Sequence, residues 1–264
     1  MDLLLEAIHL RYSFDFRAYA RGSLKRQLVR RMRKEGLEGL SALQALVLRD
    51  QACMERLLLD LSINVTAMFR DPGFYATFRA RVVPMLRTYP FIRVWTAGCS
   101  TGEEVYSMAI LLEEEGLYER TRIYATDINE TVLKRARSGV FPLEKMRDNT
   151  DNYIKGGGSR SFSDYYVARY DGARFQRSLA RNVVFARHNL VSDGSFNEFH
   201  VVICRNVMIY FDKTLQAHVH QLFYDSLPTF GVLALGRRES IRFSPREERY
   251  EEVDAAEKLY RKVA

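Results

Sequence analysis

Between residues 92 and 104 the chain reads Ile-Arg-Val-Trp-Thr-Ala-Gly-Cys-Ser-Thr-Gly-Glu-Glu. A strand-like run of β-branched and aromatic residues passes into a turn of small residues bracketed by Gly98 and Gly102. The turn opens into a helix predicted over about 103–115. Strand, glycine turn and helix in this order commonly place a ligand at the carboxyl edge of a parallel sheet. Small residues let a ligand come close to the backbone, and the first N–H groups of a helix have no acceptor within it. Alone, the stretch fits a nucleotide-like ligand and an ordinary strand-to-helix turn equally well.

The segments that follow narrow the choice. Residues 122–127 read as a second strand ending in Asp127, about one strand–helix unit beyond the glycine turn. Related folds set a carboxylate there to accept hydrogen bonds from ribose hydroxyls. An acid ahead of Asn129 and Glu130 would also cap the next helix, but the spacing favours the ribose role. Further strands are predicted at 182–190, 199–204, 231–236 and 258–263, with helices at 129–137 and 215–227. Strands alternating with helices imply a parallel sheet; the last two strands, with no clear helix between them, imply an antiparallel edge. Residues 141–181 leave this rhythm. Gly156-Gly157-Gly158 precede mixed aromatic and polar residues and an Asp171-Gly172 turn, the pattern of a small inserted antiparallel unit whose edge would suit a peptide strand.

Residues 1–85 read as all-helical. Leu3, Leu4, Ala7, Ile8 and Leu10 fall on one helical face, residues 12–16 break the pattern, and 19–34 resume it. The polar side of that second helix carries Arg21, Lys25, Arg26, Arg30, Arg31, Arg33 and Lys34 with almost no acid among them. A charged helix face is usually only solvated, yet so one-sided a face makes an acidic partner a fair competitor. Residues 40–61 form one or two more helices. In 64–72, Asn64 and Thr66 interrupt an apolar run, Arg70 follows Met68 and Phe69, and Pro72 opens a helix with Asp71 as its cap.

At 264 residues, 47% hydrophobic and 28% charged, the chain can form one large domain or two smaller ones with a proper core. A net charge of +7 permits nucleic acid, an anionic membrane or an acidic protein as partner. The charge is concentrated on one helix without interleaved stacking aromatics, so nucleic acid is not expected. No apolar run approaches a membrane span, and residues 1–6 include an acid and no basic segment, so neither membrane insertion nor a secretory signal is expected. Cys53, Cys99 and Cys204 form no metal pattern or disulfide framework, which fits a reducing cytoplasm and no metal.

Several motifs agree in order and spacing: Asn64-x-Thr66-x-x-Phe69-Arg70, the run from Ala97 to Glu104, Ala125-Thr126-Asp127-Ile128, Arg137-Ser138-Gly139-Val140, Asn189-Leu190, and Cys204-Arg205-Asn206-Val207-Met208-Ile209-Tyr210-Phe211-Asp212. Across nearly its whole length the chain resembles the CheR-type chemotaxis-receptor glutamate methyltransferases, which use S-adenosylmethionine (SAM). The resemblance implies an α/β fold: an N-terminal helical domain (1–85) on a Rossmann-like SAM-dependent domain (86–264), with a small antiparallel β subdomain inserted at about 141–181. It implies a glutamate side chain on the cytoplasmic helical region of a chemoreceptor as acceptor, and a glutamate methyl ester and S-adenosylhomocysteine as products.

On that resemblance, Asp127 takes the ribose diol, and Glu104, with Glu103 nearby, serves the amino-acid end of SAM. Asn64 and Thr66 are a cofactor-contacting pair, Asn189 and Leu190 lie beside the adenine, and Asn206 and Val207 face the methionine end above the Gly98 turn. Arg70, at the edge of the cofactor site, orients the acceptor carboxylate, and Tyr210 is a second catalytic group. Arg26, Arg30 and Arg31 dock the acidic receptor region, and a receptor tail would pair with the β subdomain. The alternative is a SAM-binding signalling module without turnover, against which Arg70 and Tyr210 argue. Two departures stand out: Val105 replaces a usual proline, and Gly236-Arg237-Arg238-Glu239-Ser240 replaces the commoner Gly-His-Ser-Glu.

Overall fold

The computed structural model describes residues 1–62, 66–242 and 244–263. Four helices come first: α1 (Asp2–Tyr12), α2 (Arg21–Lys34), α3 (Leu40–Arg49) and α4 (Gln51–Leu61). Helix α1 stops at Ser13, which turns left-handed at φ 59°. The break between α3 and α4 falls at Asp50, which is extended and caps α4 by accepting from the Ala52 N–H at 2.9 Å. Leu4, Leu5 and Ile8 pack against Leu24, Leu28, Leu43, Val47, Leu57 and Leu61 in a core of their own. The inward stripe of α1 is thus narrower than the sequence pattern implies: Leu3 and Leu10 are 78% and 77% exposed.

A second helical run, α5 (Pro72–Thr77), a π-helical turn (Phe78–Val82) and α6 (Val83–Leu86), packs Phe74, Phe78 and Leu86 into the core beside the sheet. Then follow β1 (Ile92–Ala97), α7 (Glu103–Glu114), β2 (Thr121–Asp127), α8 (Glu130–Ser138), β3 (Val140–Pro142), α9 (Met146–Lys155), β4 (Tyr166–Arg169), β5 (Gly172–Phe175), β6 (Val183–Arg187), β7 (Val201–Cys204), α10 (Lys213–Asp225), β8 (Val232–Leu235), β9 (Tyr250–Asp254) and β10 (Leu259–Lys262).

Among the described residues the main sheet has the order β6-β2-β1-β7-β8-β10-β9. Its first five strands are parallel, and β10 runs antiparallel to both β8 and β9. The antiparallel edge agrees with the sequence reading, but β9 was not foreseen. Three residues of its Tyr-Glu-Glu-Val-Asp run are acidic and the strand is partly exposed, so it carries no apolar signal. The chain builds outward from β1 to one side and returns through β7 to the other. A crevice therefore opens between the carboxyl ends of β1 and β7, where the direction of winding reverses.

The insert is a three-stranded antiparallel sheet, order β3-β5-β4, joined to α9. Glu114, at the end of α7, anchors it: the carboxylate accepts from Tyr165 Oη at 2.9 Å and the Ser159 N–H at 3.1 Å, and also meets Tyr153 and Arg79. The helical domain meets the sheet domain along residues 18–20. The Ala20 N–H donates to the Tyr210 carbonyl at 2.8 Å, the Asp212 N–H donates to the Ala18 carbonyl at 2.9 Å, and the Tyr19 ring packs edge-on against Phe211. Among the described residues no helix is long and apolar enough to cross a membrane.

Candidate functional site

The ends of β1, β2, β6 and β7 converge on one cleft of about 940 Å³, its open mouth included. After β1, the N–H groups of Gly98 and Cys99 both donate to the Thr126 carbonyl at 2.8 Å, tying the turn to β2. Gly98 has φ +74°, and a Cβ there would lie 2.5 Å from Val207 Cγ2. The glycine thus makes room first for Val207, and only through it for a ligand. Gly102 (φ +99°) admits α8, since its Cβ would fall 2.9 Å from that of Ala136.

After β2, the Asp127 carboxylate accepts backbone N–H groups, Oδ2 from Ser100 at 2.9 Å and Oδ1 from Asn129 at 3.0 Å. The cap of α8 is Asn129, which accepts from the Thr131 N–H at 2.9 Å. Asp127 is therefore not spent on capping. Burial pushes its carboxyl pKa up, and the N–H donors of Asn129, Ser100 and Ile128 offset part of that rise. After β6, Asn189 holds its own turn, accepting from the Val191 N–H at 3.0 Å and donating its N–H to Asp193 at 2.8 Å. After β7, the buried Glu239 carboxylate accepts four backbone N–H groups: Asn206 at 2.8 Å, Val207 at 2.9 Å, Met208 at 2.8 Å and Gly236 at 2.6 Å. One side chain from beyond β8 thereby fixes the segment that lines the cleft.

Thr66, Arg70, Gly98, Glu104, Asp127, Asn189, Leu190, Asn206, Val207 and Tyr210 all line this cleft. Asn64 lies outside the described residues. Tyr19, Leu61 and Ser62 of the helical domain also reach it, as do Ile128, His188 and Arg205, none of them expected there from the sequence. The Cys204–Asp212 run was the available signal for Arg205, and the sequence offered none for Tyr19.

Arg205 organises the floor. Its side chain is 1% exposed, with Nη1 donating to Glu104 Oε2 at 2.8 Å and Nη2 to Asp71 Oδ2 at 2.8 Å and the Arg70 carbonyl at 3.1 Å. The guanidinium lies 4.2 Å from the centre of the Phe74 ring. Burial pushes the Glu104 pKa up, and the Arg205 cation draws it part of the way back. Burial likewise raises the Tyr210 hydroxyl, against the pull of the Arg70 and Arg26 charges.

Three sequence expectations need correction. Arg31 does not belong to the exposed basic face: it turns inward, donating from Nε to Asp60 at 2.6 Å and from Nη1 to Glu35 at 3.0 Å. The sequence pattern placed it by helical angle alone, but Asp60 of α4 draws it in. Lys25, Arg26, Arg30 and Arg33 remain exposed and, with Gly22 and Val29, line a shallow groove on α2. Asp71 occupies the N-cap position of α5 and Pro72 opens that helix, both as expected, but the Asp71 side chain makes no capping bond and goes instead to Arg205. Glu103 is absent from the cleft lining, buried with its carboxylate on Thr101 Oγ1 at 2.6 Å, so only Glu104 of the paired acids serves the cleft.

The donor set suits SAM. Asp127 presents a carboxylate to a diol, Glu104 offers an anion to an ammonium or sulfonium, and Ile128, Leu190 and Val191 give an apolar wall. The two carboxylates would repel a pyrophosphate. No group of three or more His, Cys, Asp or Glu side chains that could hold a metal occurs among the described residues.

Comparisons with known proteins agree. The family described as CheR methyltransferase, SAM binding domain, matches residues 64–257, and the CheR methyltransferase all-alpha domain matches residues 1–62. The chain is 50% identical to a Pseudomonas putida protein named "Putative methyltransferase Cher3" over 98% of this chain and 95% of that one. It is 30% identical to the chemotaxis protein methyltransferase of Salmonella typhimurium over 92% and 84% of the two chains. Against that of Escherichia coli it is 31% identical over 93% and 85%. With both halves matched and a cleft of this composition where they meet, the chain belongs to the CheR methyltransferase family and is a SAM-dependent methyltransferase.

Proposed function

We propose that this chain transfers a methyl group from SAM to glutamate side chains on the cytoplasmic helical region of a chemoreceptor, forming glutamate methyl esters. The observation that carries the reading is Arg70, which lines one cleft together with Asp127 and Glu104. The chemoreceptor as acceptor rests on the named activity of the relatives above.

SAM supplies the electrophilic methyl group. A glutamate side chain, with a reference pKa near 4.3, is already ionised at neutral pH, so the protein has little proton transfer to perform. It must strip water from the carboxylate and hold it in line. Arg70 binds the carboxylate through two parallel N–H donors, orienting it without neutralising it. Tyr210, its hydroxyl kept protonated by burial, is a second donor beside it. Asp127 holds the ribose, Glu104 the amino-acid end, Asn189 and Leu190 the adenine, and Thr66, Asn206, Val207 and the Gly98 turn complete the cofactor's seat. Asn64 belongs to the same proposed set.

The exposed arginines of α2 support docking of an acidic helical region, with Arg26 near enough to the cleft to act on Tyr210. The β4 edge of the insert, with Val167 68% exposed and Tyr170 in the turn just after it 85% exposed, supports pairing with a receptor tail. The test is methyl transfer to receptor cytoplasmic fragments followed by peptide mass mapping. Methylation on glutamate within a helical segment is expected; methyl groups only on lysine, arginine or nucleic acid would overturn the reading.

A further inference from the structure

Arg70 stands on an unusual piece of backbone. Phe69 and Asp71, on either side of it, have φ of +50° and +56°, in the left-handed region that non-glycine residues rarely adopt. Such a conformation persists only where its surroundings fix it. On one side Phe69 is buried among Tyr75, Tyr153 and Phe162, its N–H donating to Ser107 Oγ at 2.9 Å. On the other side Arg205 holds both residues 70 and 71, through the Arg70 carbonyl and the Asp71 carboxylate. The same guanidinium holds Glu104, the acid of the cofactor end. One buried cation therefore connects the cofactor-side carboxylate to the backbone on which Arg70 is mounted. From beyond the loop, the Arg237–Glu257 ion pair lies across Gly73, where a Cβ would come within 2.9 Å of Arg237 Nη2.

We propose that Arg205 is a positioning residue: through Asp71 and the Arg70 carbonyl it sets the loop that aims Arg70, and through Glu104 it registers that loop against the bound cofactor. Arg205 does not touch the acceptor. A lysine in its place has one ammonium centre and cannot span Glu104, Asp71 and the Arg70 carbonyl in the planar fork that the guanidinium uses. The inference rests on the proposed role of Arg70 in the transfer, so its test reads the loop separately from the reaction.

The primary variant is Asp71→Asn, since the Asp71 side chain is 28% exposed and its loss leaves Arg205 paired with Glu104. Arg205→Lys is the second variant. For each, amide hydrogen exchange across residues 66–74 is followed with S-adenosylhomocysteine bound, beside calorimetric affinity for that ligand and steady-state transfer to a receptor fragment. For Asp71→Asn we expect exchange in the loop to accelerate at least tenfold. Affinity for S-adenosylhomocysteine should stay within threefold, and kcat should fall at least tenfold at nearly constant KM for SAM. Arg205→Lys should show the same loop exchange with weaker ligand affinity, because Glu104 also loses its partner. Unchanged exchange in both variants would overturn the positioning role. Faster exchange with undiminished kcat would instead remove Arg70 from the reaction, and the positioning role with it.

Discussion

Gly98→Ala tests why the cleft has its shape. The substitution has two costs that the structure separates. At φ +74° an alanine sits in the left-handed region, at about 1–2 kcal/mol. Its Cβ would also lie 2.5 Å from Val207 Cγ2, so Val207 must move, and overpacking of this kind costs about 1–3 kcal/mol. Val207 cannot move freely, because its N–H and those of its neighbours are bound to Glu239. The sum, about 2–5 kcal/mol, corresponds to a drop in Tm of several degrees or more at about 2–4 °C per kcal/mol for a domain of this size. The partner change is Val207→Ala, which removes the obstructing methyl groups. Thermal unfolding and S-adenosylhomocysteine binding are measured for the two single variants and the double. Gly98→Ala should be less harmful on the Val207→Ala background by about 1–3 kcal/mol, leaving the backbone part uncorrected. Costs that add within about 0.5 kcal/mol would refute Val207 as the reason for the glycine.

Asp127→Asn keeps the shape at the end of β2 but replaces one acceptor oxygen by an amide and removes the charge. SAM and S-adenosylhomocysteine should both bind about tenfold to a hundredfold more weakly, as expected for losing a hydrogen bond to a charged group; equal affinity by calorimetry would refute the ribose assignment. Exchanging Arg26, Arg30 and Arg33 for glutamate should raise KM for the receptor and leave SAM affinity alone, and receptor labelling that survives would mean the face is merely solvated. Arg31→Ala should instead destabilise the helical domain by about 3–5 kcal/mol in urea unfolding, because it leaves Asp60 buried beside the more exposed Lys34. His220, buried on α10, has its pKa pushed down to about 4 by desolvation. The unfolded state binds that proton first, so the contribution is complete above about pH 6.5 and declines toward pH 4, by at most about 3 kcal/mol. His220→Gln should flatten stability against pH in that window.

Much of this architecture was legible because it rests on periodicity and turn chemistry. The Gly98–Gly102 turn, Asp127 one unit on, and the apolar strands of the parallel sheet carry local signals, and the sheet assembles them at one edge. The elements that escaped had none. Strand β9 is mostly acidic, and α9 buries only Met146, Asn149 and Tyr153. The remaining gaps were tertiary. Nothing local to residue 31 reveals that Asp60 will draw one arginine out of a basic face. Nothing local to Asp71 shows that its partner lies 134 residues away on Arg205 rather than on the next helix. Glu239 was visible as part of a family motif, but its work as a fourfold acceptor depends on residues 206–208 arriving beside it. Tyr19 reaches the cleft only because the helical domain docks through residues 18–20.

The central claim is that this cleft makes a glutamate ester. The most direct measurement is the fate of tritiated methyl groups moved from SAM to a chemoreceptor cytoplasmic fragment, treated with mild base after removal of free SAM. Label on the receptor that base releases quantitatively as volatile methanol is expected, with no label in parallel for Arg70→Ala. Label that stays on the protein through base treatment would identify an N-methyl product and contradict it.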